Sequence, residues 1–326
     1  MSIRLADVAI SPPVLLAPLA GITDLPFRQL VSRFGAGLVV SEMVASQEMV
    51  QAKPGVRERA ELGLDKTNTS VQIAGREAYW MAECARMVEA NGASVIDINM
   101  GCPAKKVTNG YSGSALLKDL DHALSLIDAV VAAVKVPVTL KTRLGWDDDL
   151  MNAPELARRA EAAGIQMITI HGRTRCQFYK GHADWAAIRT VRDAVTIPVI
   201  ANGDIVDLRT AREALERSDA DGVMIGRGAQ GRPWLLAVIS AGLGHGDAPD
   251  VPTGGKFVDM VQEHYQDMLS FYGEGLGTRV ARKHLGWYMD HAGTEPRRRK
   301  SVLTSDSATV VRMLPDALTA DLAEAA

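Results

Sequence analysis

The chain has 326 residues, 47% of them apolar, which is enough to bury a large core and indicates one large domain with a smaller one. A formal net charge of −3 excludes a generic polyanion-binding protein, so any nucleic-acid site must be a local basic patch. Cys84, Cys102 and Cys176 have no paired metal-ligand spacing and cannot all form disulfides, which predicts a reduced, cytoplasmic protein without a metal site. No apolar run is long enough to span a membrane.

Eight short apolar runs alternate with helical patterns along the chain. The predicted strands cover residues 14–17, 38–40, 70–73, 95–98, 138–141, 167–170, 199–201 and 222–225. The predicted helices that follow them cover residues 25–34, 45–51, 77–91, 121–134, 153–163, 185–194, 208–217 and 233–243. Short apolar strands that alternate with helices indicate a parallel sheet covered on its outer face. A doubly wound open sheet uses the same units, but eight of them favour closure into a (β/α)8 TIM barrel, an α/β fold.

The pattern changes after this last predicted helix. Residues 244–255 are rich in Gly, Pro and Asp, a composition typical of a linker. The rest of the chain shows only helical patterns, over residues 256–272, 276–291 and shorter stretches beyond. We therefore predict a TIM barrel over residues 1–245 and a small all-helical C-terminal domain over residues 246–326 that packs on the barrel.

The loop after the fourth predicted strand carries a thiol. Gly101 and Pro103 end the strand, and Cys102 lies between them, with Lys105 and Lys106 just beyond. Positive neighbours lower the pKa of a thiol and favour its reactivity, whereas most free cysteines are buried and inert. This stretch alone leaves both interpretations open. Because the active sites of TIM barrels lie at the C-terminal ends of the strands, the loop is in the right place for a reactive group.

Polar residues follow the last two predicted strands as well. Asn202, Gly203 and Asp204 follow strand seven, and Gly226 and Arg227 follow strand eight, which are the usual phosphate-binding positions of this fold. Glycine lets backbone N–H groups approach an anion, and an arginine can donate paired hydrogen bonds to it. These two loops predict a phosphorylated ligand.

Four further side chains at strand ends suit a flat ring with alternating donors and acceptors. Gln72 and Asn99 can each donate and accept hydrogen bonds, and Lys141 can face an anion or an electron-rich ring. His171 can bind a phosphate or can be a satisfied structural histidine. Together with the phosphate loops, these residues predict a phosphorylated heterocycle in the barrel mouth, and FMN is the candidate.

Several motifs resemble those of the tRNA-dihydrouridine synthases, especially the bacterial B-type branch. In the barrel they are APLAGITD at 17–24, SEM at 41–43, VQIAG at 71–75, DINMGCPAKKV at 97–107, GSALL at 113–117, HGRT at 171–174, IPVIANGD at 197–204 and MIGR at 224–227, and in the helical part ARKH at 281–284. They extend over about residues 14–290, and the block around Cys102 is specific.

The resemblance implies reduction of a tRNA uridine to 5,6-dihydrouridine, with FMN as hydride carrier and NADPH, or NADH, as reductant. It makes Cys102 the proton donor: hydride passes from flavin N5 to uracil C6, and the thiol protonates C5. It places Lys141 near the N1 and O2 edge of the flavin. The flavin-binding positions that it implies are Pro18, Leu19, Ala20, Gln72, Asn99, Lys141, His171, Asn202, Gly203, Asp204, Gly226 and Arg227.

A basic face in the helical part fits contact with tRNA. Arg279, Arg282 and Lys283 are spaced to lie on one face of a helix. Across residues 275–313, eight Lys and Arg outnumber three carboxylates, a local excess that predicts phosphate contacts. A solvated charged surface is the alternative explanation.

Basic residues at the barrel mouth complete the predicted tRNA surface. Lys105, Lys106 and Arg173 are placed there by the strand order, where they can contact tRNA phosphates. The expected partners are thus tRNA and NADPH, with no membrane and no metal. We expect a monomer.

Two other functions compete with this hypothesis. One is an FMN barrel that acts on a free pyrimidine, as dihydroorotate dehydrogenases do, but a small-molecule enzyme has no need of a basic helical domain. The other is a non-catalytic RNA-binding protein, which would have no use for Cys102, Lys141 and Arg227 together.

Overall fold

Eight parallel strands close into a barrel. A computed structural model describes the chain over residues 2–53, 55–63 and 68–319. An antiparallel hairpin of β1 (Ile3–Leu5) and β2 (Val8–Ile10) precedes the barrel. In chain order the next strands are β3 (Val14–Leu16), β4 (Leu38–Val40), the two-residue β5 (Val44–Ala45), β6 (Thr69–Ala74), β7 (Val95–Met100), β8 (Val138–Arg143), β9 (Met167–His171), β10 (Val199–Asn202) and β11 (Gly222–Ile225). Because β4 pairs with both β3 and β6, the sheet closes, and the predicted TIM barrel is confirmed.

Helices surround the barrel and connect its strands. They are α1 (Leu25–Phe34), α2 (Ser46–Val50), α3 (Ala78–Ala90), the short α4 (Lys105–Thr108), α5 (Leu120–Val131), α6 (Ala153–Ala162), α7 (Trp185–Arg192), α8 (Leu208–Ser218) and α9 (Leu235–Gly242). Side chains alternate along each strand, so that Ile96 and Ile98 of β7 pack against the helices, whereas Val95 and Asp97 point into the barrel. This alternation separates the helix-facing core from the interior that carries the site.

The barrel interior is apolar at the N-terminal ends of the strands. One apolar cluster joins the hairpin to this end of the interior, and its buried members are Ile3, Leu5, Ile10, Leu15, Ala17, Leu38, Val40, Val95, Met167, Ile200 and Met224. The hairpin therefore closes the N-terminal end of the barrel. Its strands were not among the predicted elements, because three residues are too few to show a period.

Four helices follow the barrel: α10 (Gly254–Tyr272), α11 (Glu274–His291), α12 (Pro296–Thr304) and α13 (Ser307–Thr319). They share an apolar cluster in which Leu30 of α1 and Trp234, just before α9, are buried together with side chains of all four helices. The predicted helical segments are thus present and rest on the barrel, while residues 320–326 of the predicted domain lie outside the described residues. No helix among the described residues is long and apolar enough to cross a membrane.

Buried polar groups join the helical part to the barrel. Asp24 caps the N-terminus of α1 by accepting the N–H of Phe27 at 3.0 Å, and its other oxygen accepts the hydroxyl of Tyr272 on α10 at 3.0 Å. Phe27 also packs its ring against His264 and His284, which come from α10 and α11. Burial raises the pKa of Asp24 to about 6, because a carboxylate loses hydration in this seam.

We expect Asp24→Asn to stabilise the protein increasingly as pH rises. A carboxyl whose pKa is raised on folding favours the folded state most at low pH, and this contribution is lost as pH rises through about 6. Asparagine keeps the helix cap without a charge. Thermal unfolding at pH 5 and pH 8 should show a gain of about 1–2 kcal/mol for the variant that develops between these values. A difference between variant and parent that does not change with pH would contradict this assignment.

Candidate active site

A cavity of about 780 Å³ opens at the C-terminal ends of the barrel strands. It is lined by the predicted proton donor and by every predicted flavin-binding residue: Cys102, Pro18, Leu19, Ala20, Gln72, Asn99, Lys141, His171, Asn202, Gly203, Asp204, Gly226 and Arg227. A second cavity of about 500 Å³ lies beside α1 and contains none of the predicted site residues. The strand order therefore brings together side chains that are more than 200 residues apart in the sequence.

The floor of the cavity contains a polar network across β6, β7 and β8. Gln72 lies opposite Asp97 in the sheet, and its Nε2 donates to the Asp97 carboxylate at 2.7 Å. Asn99 donates from Nδ2 to Gln72 Oε1, also at 2.7 Å. Thr139 donates its hydroxyl to the second Asp97 oxygen at 2.7 Å. Asp97 is only 4% exposed, and burial raises the pKa of its carboxyl group.

The Cys102 loop is held on several sides. Asn99 Oδ1 accepts the N–H groups of Gly101, at 3.2 Å, and Cys102, at 3.0 Å. The carbonyl oxygen of Cys102 accepts the N–H and the hydroxyl of Ser114, at 3.1 and 2.9 Å. Gly113 permits this approach, because a Cβ atom on it would lie 2.8 Å from the Cys102 carbonyl oxygen. Cys102 is partly exposed and borders the cavity, so it is not a buried core cysteine.

Positive charge dominates the next part of the wall. Lys141 Nζ donates to Asn202 Oδ1 at 3.1 Å, and burial lowers the pKa of this lysine to about 8. Burial, together with the charges of Arg143, Lys141, Arg173 and Arg227, lowers the pKa of His171 well below its usual value. His171 is therefore neutral at pH 7, and the cations around it favour an anionic ligand.

Arg173 departs from its predicted role. Its side chain is buried, and its guanidinium binds both oxygens of Asp204, at 3.0 and 2.6 Å, and the carbonyl oxygens of Lys180 and Gly181. With these four acceptors it is not available to tRNA phosphates, because the segment that follows β9 folds over it. Partial burial raises the pKa of Asp204. The hydrogen bonds from Arg173 and Ala183 lower this pKa by more, so it lies below its usual range.

Tyr179 and Arg143 line the cavity but were not among the predicted site residues. Tyr179 is 49% exposed, and its ring lies 5.5 Å from the Arg143 guanidinium and 5.4 Å from that of Arg227. Arg143 is buried and donates to the carbonyl oxygens of Gly101, Thr174 and Phe178, at 2.8, 3.0 and 2.9 Å. Its place at the end of a predicted strand was a signal for it, whereas Tyr179 lies in an irregular loop without one.

The basic residues predicted to contact tRNA are exposed, apart from Arg173. Lys105 and Lys106 lie on α4, just beyond the Cys102 loop, and Arg279, Arg282 and Lys283 lie on α11. Lys283 Nζ is 3.4 Å from the carbonyl oxygen of Gly21, in the loop that follows β3, which places this face of α11 beside a loop of the cavity end. Within the described part of the chain, no group of three or more His, Cys, Asp or Glu side chains could hold a metal ion.

Comparison with known proteins identifies the family to which this chain belongs. A family model described as "Dihydrouridine synthase (Dus)" matches residues 15–321. The chain belongs to the dihydrouridine synthase family. A protein of Rhodobacter capsulatus named probable tRNA-dihydrouridine synthase is 60% identical over 97% of this chain and 98% of its own length. A tRNA-dihydrouridine synthase B of Xanthomonas axonopodis pv. citri is 46% identical over 88% of this chain and 87% of its own length.

Solved structures share the fold of this dihydrouridine synthase family member at low sequence identity. A morphinone reductase variant in complex with tetrahydroNAD aligns with a TM-score of 0.53 and 15% identity, over 74% of this chain and 90% of that chain. A 2-naphthoyl-CoA reductase aligns with a TM-score of 0.60 and 13% identity, over 74% of this chain and 52% of that chain. These likenesses agree with the barrel described above.

Proposed function

We propose that this chain is an FMN-dependent tRNA-dihydrouridine synthase that reduces a tRNA uridine to 5,6-dihydrouridine with NADPH as reductant. The family and the printed names of its relatives support the reaction. The observation that carries the proposal is a single cavity that joins a partly exposed thiol, Cys102, to a lysine and to two glycine-containing loops on the phosphate side of a TIM barrel.

The cavity fits a phosphorylated flavin. Its volume lies in the range of ligand pockets. Cations surround the neutral His171, and Asp204 is the only carboxylate among the described residues that line the cavity. At Gly203 a Cβ atom would lie 2.8 Å from His171, and at Gly228 it would lie 2.7 Å from the carbonyl oxygen of Ile205, so both loops need glycine to come this close. Arg227 would bind the phosphate, and Lys141 the ring edge.

A bound flavin would supply hydride to C6 of the target uracil. Cys102 then donates a proton to C5 from the opposite side of the pyrimidine, which requires that the thiol keep its proton until the base arrives. The three hydrogen bonds to the Cys102 backbone hold it for this transfer. Lys141 offsets negative charge in the cavity, and its contact with Asn202 keeps the ammonium group in place.

Exposed aromatic side chains support a single-stranded or flipped nucleotide at the same face. Tyr79, Tyr111, Phe178 and Tyr179 are the exposed aromatic side chains among the described residues, and each follows the C-terminal end of a barrel strand. Bases stack on such rings at about 1–3 kcal/mol each. The target uridine must leave its stack to enter the cavity, and these rings can hold it or its neighbours.

The deciding experiment compares tRNA from cells with and without this gene product, with dihydrouridine mapped at each position. We expect loss at specific positions, restored by the wild-type protein. The purified protein should be yellow and should bleach with NADPH. Reduction of free uracil but not tRNA would favour the small-pyrimidine alternative. RNA binding by a protein without flavin would favour the non-catalytic one.

The α11 basic face gives a prediction about tRNA affinity. The double variant Arg282→Ala/Lys283→Ala should bind tRNA about tenfold more weakly, with a salt-dependence slope lower by about 1–2, because each lost phosphate contact releases fewer counterions. Filter-binding titrations at several salt concentrations measure both quantities. Arg189→Ala/Arg217→Ala is the matched control, since it removes two charges whose side chains are 52% and 47% exposed in the last turns of α7 and α8. Equal effects of the control would contradict a specific role for α11.

Lys141 predicts a pH dependence of FMN affinity. An anionic ligand favours the protonated lysine, so the affinity should fall as pH rises through the lysine pKa of about 8. The FMN phosphate is dianionic throughout, because its second pKa is about 6. Fluorescence titrations at pH 7 and 9 should show about a tenfold weaker Kd at pH 9, and Lys141→Met should remove the dependence. A variant with the same pH profile as the parent would exclude Lys141 as its source.

A further inference from the structure

Asp97 has no role in the mechanism proposed above, yet it lies beneath the cavity and is linked by hydrogen bonds to residues that line it. It points into the barrel from β7 and is 4% exposed, and its oxygens bind Gln72 and Thr139 at 2.7 Å each. No Lys or Arg in the described residues forms an ion pair with it within 4.0 Å, and Lys141 is the cation whose charge acts on it. A buried carboxylate without a salt bridge is costly and calls for an explanation.

A carboxylate can only accept hydrogen bonds, so it determines how the neighbouring amide is oriented. Gln72 must present its Nε2 to Asp97, which leaves its Oε1 facing the other way. That oxygen can only accept, so it requires the Nδ2 of Asn99 at its 2.7 Å contact. Each amide orientation is therefore set by the one before it, starting from Asp97.

The last link of this chain is the loop that carries the thiol. With Nδ2 directed to Gln72, Asn99 must direct Oδ1 to the loop, where it accepts the N–H groups of Gly101 and Cys102. In the reversed orientation, an amide nitrogen would face two N–H donors, and both hydrogen bonds would be lost. Each such loss leaves a polar group unsatisfied at a cost of about 1–3 kcal/mol.

We propose that Asp97 is a positioning residue that holds the Cys102 loop through the chain Asp97–Gln72–Asn99–Cys102. This inference rests on the proposed function, because it assigns the thiol the task described there. Thr139 provides the internal comparison: it binds the same carboxylate but is not part of the path to Cys102.

The test measures Cys102 directly. In a Cys176→Ser background, iodoacetamide labelling of Cys102 is followed by peptide mass spectrometry from pH 6 to 9, with Asp97→Asn compared with Thr139→Val. Asparagine is isosteric but can present either an N–H or an oxygen to Gln72, so it no longer imposes one orientation. We expect Asp97→Asn to change the Cys102 labelling rate at least tenfold and to shift its pH profile. Thr139→Val should stay within twofold of the parent despite a similar loss in Tm.

Two half-reactions add a second readout on flavin-loaded protein. Flavin reduction by NADPH does not use the thiol and should stay within twofold in Asp97→Asn, whereas reoxidation by tRNA should slow about tenfold. Equal slowing of both half-reactions would overturn the proposal, as would labelling within twofold of the parent or an equal change in Thr139→Val. If Asp97→Asn does not fold, Gln72→Met breaks the next link, and this variant is judged by the Cys102 labelling rate alone, because Gln72 is also a predicted flavin-binding residue. The labelling comparison can also be made on flavin-free protein, where it does not depend on catalysis. A failure of the proposed function can therefore be distinguished from a failure of the positioning role of Asp97.

Discussion

Cys102→Ala should retain FMN and its reduction by NADPH but form dihydrouridine about 10²–10⁴ times more slowly, which is the usual contribution of a general acid. The thiol borders the cavity, and its sulfur makes no hydrogen bond to the described residues, so its removal should leave the flavin pocket intact. Stopped-flow absorbance separates the two half-reactions, and dihydrouridine in a tRNA transcript measures the product.

Cys176→Ser is the matched control for this variant. Cys176 is exposed in the loop after β9 and does not line the cavity, so its replacement should change neither half-reaction. Full activity of Cys102→Ala would remove the thiol from the proton transfer, and loss of flavin would show a structural role instead.

Arg173→Gln should destabilise the protein by about 3 kcal/mol and abolish stable flavin binding. The guanidinium is 2% exposed and bidentate to Asp204, so its loss leaves this carboxylate beside the phosphate loops with the longer, 3.5 Å ion pair to Arg227 in place of its closest cation. The value is at the low end for breaking a buried pair, because Asp204 remains 25% exposed. Thermal unfolding should show a Tm lower by about 5 °C, and FMN content is read from absorbance.

An exposed ion pair provides the comparison. Arg189 of α7 pairs with Asp219 at 3.6 Å, and both side chains are more than half exposed, so Arg189→Gln should cost less than about 0.5 kcal/mol. If Arg173→Gln instead kept its Tm and its flavin and lost only tRNA affinity, the surface role predicted from the sequence would be restored.

The position of a residue after a strand was enough to predict most of the cavity. In a closed parallel barrel every strand delivers its C-terminal residues to one rim, so Lys141 and Asn202 could be placed together although 61 residues separate them. No knowledge of loop paths is needed for such residues. The predicted strands were short and apolar, and the presence of eight of them was enough to predict a closed barrel.

Residues whose place depends on loop paths or on the inner layer of the barrel could not be predicted in this way. Arg173 also follows a strand, but the segment up to Gly181 folds back over its guanidinium and converts a surface cation into a buried one. Asp97 was read as part of an apolar strand, and only the register with Gln72 and Thr139 shows that it faces the interior. Which loop covers a side chain is a matter of tertiary packing that local periodicity does not contain.

The apolar hairpin at the N-terminal end of the barrel determines from which side substrates can reach the interior. Ile3, Leu5 and Ile10 close that end, so in the described part of the chain the barrel interior opens at the rim that carries Cys102. On the function proposed above, a nicotinamide donor and the target base would both reach the flavin through this opening. We therefore expect the two substrates to bind alternately, so that an excess of one slows the reaction with the other.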